Sequence, residues 1–324
     1  MDPRRCSALD LGSGTIKWSV FERRGGVWLP LVLDEVNTEL RKGMGEERTL
    51  KPGPLADTLN ACRDFLSRAR AMGLPDPPAY ATSAVRKAAN PEALLDPLRA
   101  MGVTASILGW EDEGRLNLLG LQARLRSSAV PAQRPLVMDP GGDSTEICAD
   151  LDTAGWERAR VASLPFGSVS LQEEFGSSRD NEPLAWTLME EVAGRAARVL
   201  RTFPDAFPFA GAGLLPAIRM NLPIQRALER INGLPAAGHG EGGTYALHAL
   251  EALCRETASR DHAGRAALMA GEPMGKVDRT CYGFASWLGI LRSLEADRFL
   301  VEPWGIKLGA ALALNPPSTT GTHG

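Results

Sequence analysis

One pattern occurs twice in this chain and restricts its fold more than any other. An apolar, strand-like run ends in an aspartate and opens into a short glycine-containing polar loop. The first copy is Asp10-Leu11-Gly12-Ser13-Gly14-Thr15, and the second is Asp139-Pro140-Gly141-Gly142-Asp143-Ser144-Thr145. Glycine lets a backbone turn tightly and approach a ligand. Successive N–H groups in such a turn form a concavity that attracts anions. Ser13, Thr15, Ser144 and Thr145 add hydroxyl donors. Asp10 and Asp139, at the strand ends, are placed to hold a metal ion directly or through water. Two polar turns would also satisfy the pattern, but its repetition after apolar strands favours phosphate binding. The repeat suggests one duplicated unit, and two such units facing each other would make a cleft with a phosphate loop on each wall.

The intervening sequence supports an α/β chain, because strand and helix patterns alternate. Ile16–Phe21 and Val27–Leu33 read as strands joined by a Gly25-Gly26 turn. Leu55, Leu59, Cys62, Leu66 and Ala69 recur at helical spacing between Pro54 and Met72. Asn90 is expected to cap a helix opened by Pro91, and Pro97 to end or kink it. Glu111 to about Arg126 and Leu184 to Phe203 read as further helices. Leu136–Asp139, Thr145–Ala149, Arg158–Leu164 and Arg298–Val301 read as strands.

Composition excludes several classes. The 324 residues carry a formal net charge of −3, so no global basic field exists to bind nucleic acid. An anionic ligand would need a local site. The five cysteines, at 6, 62, 148, 254 and 281, form no C-x-x-C and are expected as buried free thiols in a reducing cytoplasm. The N-terminal MDPRRCSALD lacks the apolar region of a signal peptide, and no run approaches the ~20 apolar residues of a membrane span. The four histidines make no motif.

Two further stretches can carry chemistry. In YATSAVRKAAN, a strand ends in Thr82 and Ser83, and Arg86 follows with a planar fork of donors suited to phosphate oxygens. In ILGWEDEGRLNLLG, a strand runs into Glu111, Asp112 and Glu113. Acidic residues suit a first helical turn, and a carboxylate there can equally align a water against phosphorus. Position alone leaves both readings open.

Taken in order, DLGSGT, ATSAVRKAAN, GWEDEGRL and DPGGDSTE resemble the signatures of the exopolyphosphatase / guanosine pentaphosphate phosphatase (Ppx/GppA) family. SLPFGSVSLQEEF, Ser163 to Phe175, is similar to that family's next segment. The family belongs to the actin, sugar-kinase and heat-shock chaperone superfamily. The resemblance implies an α/β fold of two actin-like (ribonuclease H-like) domains around a central cleft. It places the first domain at 1–117 plus about 300–314 and the second at 118–299; the residues NPPSTTGTHG themselves read as a disordered tail over 315–324. It implies removal of a terminal phosphoryl group from inorganic polyphosphate or guanosine pentaphosphate, with Mg²⁺. Phosphoryl transfer asks mainly for positioning and charge neutralisation. On this reading Gly12, Ser13, Gly14, Thr15, Arg86, Gly141, Gly142, Ser144 and Thr145 hold phosphates. Glu113 matches the catalytic glutamate that orients and deprotonates water. Asp10, Asp139 and Glu146 lie near the metal, with Asp143 a further candidate ligand. A cytoplasmic location and a homodimer are compatible with the resemblance.

The chain departs from the family pattern at several positions. Gly14 replaces an asparagine, and Pro140 removes an N–H donor. GAGLL, Gly211 to Leu215, stands for a glycine-threonine motif and lacks its hydroxyl at Leu214. Lys307 stands for a late arginine. Asp143 replaces a loop glycine, and a carboxylate ~5 Å from a phosphate charge at an effective dielectric of ~20 would repel it by roughly 3 kcal/mol. Asp143 can point away from the ligand, ligate the metal, or mark a site that has lost tight binding. Two function classes follow. One is a phosphohydrolase; the other is a catalytically weakened regulatory protein that binds a nucleotide or polyphosphate on the same fold. A kinase of the same superfamily fits ATSAVRKAAN and EDEGRL less well.

Overall fold

A computed structural model of the chain describes residues 5–125, 134–142, 144–151, 155–176, 182–203, 209, 214–236 and 242–313. Asp143, Gly211 and the 315–324 tail lie outside the described residues. The chain divides into two compact units. Unit 1 comprises Met1–Val130 with Ile306–Gly324, and unit 2 comprises Pro131–Gly305. Each has its own sheet and its own buried apolar cluster.

The sheet of unit 1 contains β1 (Arg5–Leu11), β2 (Thr15–Arg24), β3 (Val27–Asn37), β4 (Ala79–Ala81) and β5 (Ala105–Ile107), in the order β3-β2-β1-β4-β5. β1, β2 and β3 form an antiparallel meander, while β4 and β5 run parallel to β1. The β2–β3 turn uses Gly25 at φ 58° and Gly26 at φ 89°. Positive φ at both central residues matches the right-handed twist of the flanking strands. Four helices belong to the same stretch: α1 (Pro52–Ala71), α2 (Ser83–Arg86), α3 (Glu92–Ala100) and α4 (Trp110–Leu125).

The sheet of unit 2 contains β6 (Pro135–Pro140), β7 (Thr145–Ala149), β8 (Arg160–Leu164), β9 (Leu215–Arg219), β10 (Thr244–Ala246) and β11 (Arg298–Glu302), in the order β10-β11-β9-β6-β7-β8. β6, β7 and β8 again form an antiparallel meander, and β9 and β11 again run parallel on the other side of the first strand. The duplication suggested by the two loops is therefore a duplication of sheet topology. Helices α5 (Ser168–Phe175), α6 (Trp186–Thr202), α7 (Leu222–Ile231), α8 (Leu247–Ala258), α9 (His262–Leu268) and α10 (Val277–Ser293) complete the unit, and α11 (Ile306–Leu312) returns to unit 1.

Of the two outcomes expected at Pro97, an end or a kink, the end is excluded, because α3 continues three residues beyond it. Asn90 does not cap it: its side chain accepts from the Leu50 N–H at 2.8 Å and donates to the Leu50 carbonyl at 3.3 Å, clamping a distant segment. The division between the units also differs from the sequence reading. α4 is one uninterrupted helix packed on α11, so it stays in unit 1, and the strand at 298–302 pairs with β9 and β10 in unit 2. The α4–α11 approach is so close that a Cβ on Gly309 would stand 1.7 Å from the Leu116 carbonyl oxygen. All five cysteines are buried free thiols. Among the described residues, no helix is long and apolar enough to cross a membrane.

Candidate active site

In unit 1, three sequence motifs leave the sheet at one edge. Leu11, Ala81 and Ile107 are in register at the C-terminal ends of the parallel strands β1, β4 and β5. Ligands of open α/β sheets bind outside such strand ends. From β1 comes the loop Gly12–Thr15, from β4 the short helix α2 that carries Arg86, and from β5 the first turn of α4 that carries Glu113.

The first loop is closed by a bond from the Gly12 N–H to the Thr15 carbonyl at 3.1 Å. A Cβ on Gly12 would stand 2.8 Å from that same oxygen. The loop carbonyls are taken by protein amides: Gly14 O accepts from Thr38 and Glu39, and Ser13 O accepts from Arg41. The N–H groups of Ser13 and Gly14, and the hydroxyls of Ser13 and Thr15, have no partner among the described residues. Of the amides that the sequence offers to phosphate at 12–15, that of Gly12 is spent on closing the loop. Asp10 is nearly buried and accepts from the Lys17 ammonium at 3.0 Å, its cross-strand neighbour.

Arg86 and Glu113, 27 residues apart in sequence, meet in an ion pair at 3.0 Å. Arg86 also donates to the Leu108 carbonyl, which fixes its guanidinium against the end of β5. Both side chains are about one-quarter exposed, so a ligand can reach them. The other two acids of the EDE run are placed differently. Glu111 is exposed and pairs with Arg115 at 3.1 Å. Asp112 is buried, and that burial raises its carboxyl above the usual range, with Arg115 acting in the opposite sense and Glu111 in the same sense.

The second loop repeats the first. The Gly141 N–H donates to the Ser144 carbonyl at 2.8 Å, and a Cβ on Gly141 would again stand 2.8 Å from that oxygen. Here the loop carbonyls are taken by the start of α5: Gly141 O accepts from Ser168 N–H, and Gly142 O from Val169 and Ser170. Gly167 lies so close that a Cβ there would stand 2.4 Å from the Gly142 carbonyl. Ser144 and Ser163 both donate to one oxygen of Glu146, at 2.8 and 2.9 Å. Ser144 is therefore seen orienting a carboxylate rather than offering a hydroxyl to phosphate.

One assignment made from sequence is corrected here. Thr145 is fully buried and donates to the Phe166 carbonyl at 3.0 Å, so its hydroxyl is engaged inside the unit. It faces inward with Ile147 because β7 alternates with period two. Leu214 adjoins Leu215, which is in register with Pro135 at the far end of β6 from the loop. The part of β9 beside the loop is its other end, at Arg219. Asp143 lies outside the described residues.

Arg219 is a residue that sequence reasoning misses. It donates to the Asp139 carboxylate and, at 3.1 Å, to the Pro140 carbonyl. A polar row thus crosses the rim of this sheet: Ser163, Glu146, Asp139, Arg219 and Glu302, each in register with or following its neighbour. An apolar strand ending in arginine, LPAIR, is the local signal, but its partner is 80 residues away.

Among the described residues, no group of three or more metal-ligating side chains is assembled. Asp10 is not in the same unit as Asp139 and Glu146. Those two stand opposite each other on β6 and β7, which puts both on one face of the sheet. An oxygen-only pair suits Mg²⁺, which commonly takes one or two carboxylates and completes its shell with water and substrate phosphate. The guanidinium on Asp139 shows that this carboxylate accepts a cation. The donor set fits the metal in that sense.

Several known proteins are similar to this chain along most of its length. Exopolyphosphatase 1 of Mycobacterium tuberculosis is 26% identical over 329 residues, covering 98% of this chain and 90% of that protein. The Mycobacterium leprae exopolyphosphatase 1 is 25% identical over the same span, covering 98% and 91%. Among solved structures, the Aquifex aeolicus Ppx/GppA family member superposes with a TM-score of 0.79 at 20% identity, covering 94% of this chain and 95% of that one. An exopolyphosphatase from Cytophaga hutchinsonii gives 0.77 at 16% identity, covering 98% and 100%. These likenesses show the two-domain actin-like α/β fold. The sequence pattern of the Ppx/GppA phosphatase family matches residues 19–315, and the chain belongs to that family.

Proposed function

We propose that this protein is a Mg²⁺-dependent phosphohydrolase that releases the terminal phosphate from inorganic polyphosphate or guanosine pentaphosphate. The observation that carries the reading is the Arg86–Glu113 pair at the strand-end edge of unit 1. Arg86 holds the carboxylate in place and keeps a cationic fork beside it, which suits a phosphate oxygen. Glu113 accepts a proton from water; the water oxygen attacks the terminal phosphorus; the bridging P–O bond breaks, giving inorganic phosphate and a chain one phosphate shorter. In unit 1, the amides of Ser13 and Gly14 are the donors beside this pair that suit the phosphate oxygens. In unit 2, Asp139 and Glu146 would hold Mg²⁺, which when bound would neutralise phosphate charge. The names of the mycobacterial relatives support polyphosphate as the substrate.

The test is phosphate release from long-chain polyphosphate and from guanosine pentaphosphate, offered separately with Mg²⁺. Glu113→Gln is expected to lose about 10²–10⁴-fold in turnover while melting at the wild-type temperature. Turnover close to wild type in that variant would remove Glu113 from the chemistry. A silent wild type that is still thermally stabilised by polyphosphate or the nucleotide would make the protein the binding, regulatory form of the fold.

A further inference from the structure

Arg219 ends β9 and spans the strand end from which the second loop departs, bonded to Asp139 and to the Pro140 carbonyl. Unit 1 has no such group among its described residues. There the parallel neighbour in register with Asp10 is Tyr80, whose hydroxyl is turned to the Ala313 carbonyl at 2.9 Å. The rim of unit 2 also has an unusual charge content. Asp139 takes the Arg219 guanidinium, Glu146 stands opposite Asp139 on β7, and Glu302 is in register with Arg219 on β11. Glu302 is almost fully buried and accepts from the Trp304 N–H at 3.0 Å.

A carboxylate has few lone-pair directions, and Arg219 takes one that a metal at Asp139 would need. Guanidinium and divalent cation also repel each other at such range. We propose that Arg219 is the resident counter-cation of Asp139, and that a divalent cation binds this carboxylate only as Arg219 leaves it, so that Arg219 sets the metal affinity of the rim. This rests on reading Asp139 and Glu146 as the metal-holding pair. The side chain has room to move, being 34% exposed. It also has two destinations. One is Glu302, its in-register neighbour on β11. The other is the phosphate of a ligand in the loop, which suits a planar fork of donors. Metal and phosphate would then arrive together: the metal takes the carboxylate, and the freed guanidinium takes an anion.

The probe is Mn²⁺, titrated into the full chain without substrate and followed by electron paramagnetic resonance of the free ion. Arg219→Met is expected to tighten binding by about tenfold, the scale of one close charge pair. Arg219→Gln removes the charge while keeping an amide donor toward Asp139. It is expected to show the same gain, which covers a methionine variant that fails to fold. Arg219→Lys keeps a competing charge and is expected to stay near wild type. Adding Asp139→Asn to Arg219→Met is expected to abolish the gain. Unchanged or weaker Mn²⁺ binding in both neutral variants overturns the proposal. So does a gain that survives Asp139→Asn, which would mark a general charge effect. Phosphate release is scored separately. A Mn²⁺ gain in a protein that releases no phosphate keeps this inference and removes the phosphohydrolase reading; turnover with no Mn²⁺ gain does the reverse.

Discussion

The two strand-end loops share a skeleton and differ in what surrounds it. In each, an aspartate closes the first strand, a glycine N–H donates to the carbonyl three residues on, and a Cβ on that glycine would meet the same oxygen at 2.8 Å. Each aspartate also carries one cation, but from opposite sides. Asp10 receives Lys17 from the antiparallel neighbour β2. Asp139 receives Arg219 from the parallel neighbour β9, because the residue opposite it on β7 is Glu146. The first rim pairs its aspartate with a lysine on the same hairpin, whereas the second pairs its aspartate with an arginine and sets Glu146 and Glu302 in register with the two. The backbone repeat thus supplies two turns of the same construction, and side-chain divergence gives one rim a pair within a hairpin and the other a row of acidic residues on neighbouring strands. That contrast is the ground for placing the proposed metal in unit 2.

The sharpest way to break this comparison is to crowd the loops. Gly167→Ala places a Cβ 2.4 Å from the Gly142 carbonyl and 2.6 Å from that of Gly141, all of it backbone. It is expected to cost at least about 2 kcal/mol and to displace the second loop, read as a lower Tm. Gly12→Ala and Gly141→Ala should match each other at about 1–3 kcal/mol, since both meet a carbonyl at the same distance. Gly14→Ala meets nothing within 4 Å, and its Tm should stay within the equivalent of about 0.5 kcal/mol. Unequal costs at Gly12 and Gly141 would show that the shared skeleton is not equally strained.

Much of this architecture is legible in the amino-acid sequence, for a local reason. Strand-loop junctions, the Gly25-Gly26 turn and the α1 stripe are written in neighbouring residues, and so are the loops themselves. The pairing of Arg86 with Glu113 is half legible: each is a candidate by type and position, but nothing local says that two strand ends bring them together. Thr145 misleads because its hydroxyl fits a phosphate loop by type, while strand alternation sends it inward. Asn90 has a good capping residue's chemistry, yet a partner 40 residues away takes its side chain. Arg219 is invisible for the same reason, since its meaning lies in the register of β9 against β6. Sequence shows which groups are available, and sheet register decides which of them meet.

A middle-sized effect tests the charge half of the comparison. Lys17→Met leaves Asp10, 8% exposed, without its ammonium and should cost about 1–3 kcal/mol. Because the residue serves a settled pair and not a metal rim, Mn²⁺ affinity should not rise with it. Tightening equal to that of Arg219→Met would mean that the two aspartates are equivalent metal sites, and the assignment of the metal to unit 2 would fall.

The smallest effect concerns an acid of unit 1 that lacks a settled environment. Burial raises the Asp112 carboxyl above its ordinary value, and the Arg115 guanidinium, at 3.7 Å, only partly opposes this. A carboxyl raised on folding binds its proton more tightly in the folded protein than in the unfolded chain. Its contribution to stability is therefore fullest below the unfolded value and declines as pH rises through the folded one. Asp112→Asn removes the charge that burial opposes. The variant should melt slightly higher than wild type near neutrality, and the difference should close as pH falls below the unfolded carboxylate range. A difference that stays constant across pH would assign the gain to packing. A lower Tm near neutrality would mean that the Arg115 contact outweighs desolvation, leaving Asp112 as settled as Asp10 and the contrast with the rim of unit 2 sharper still.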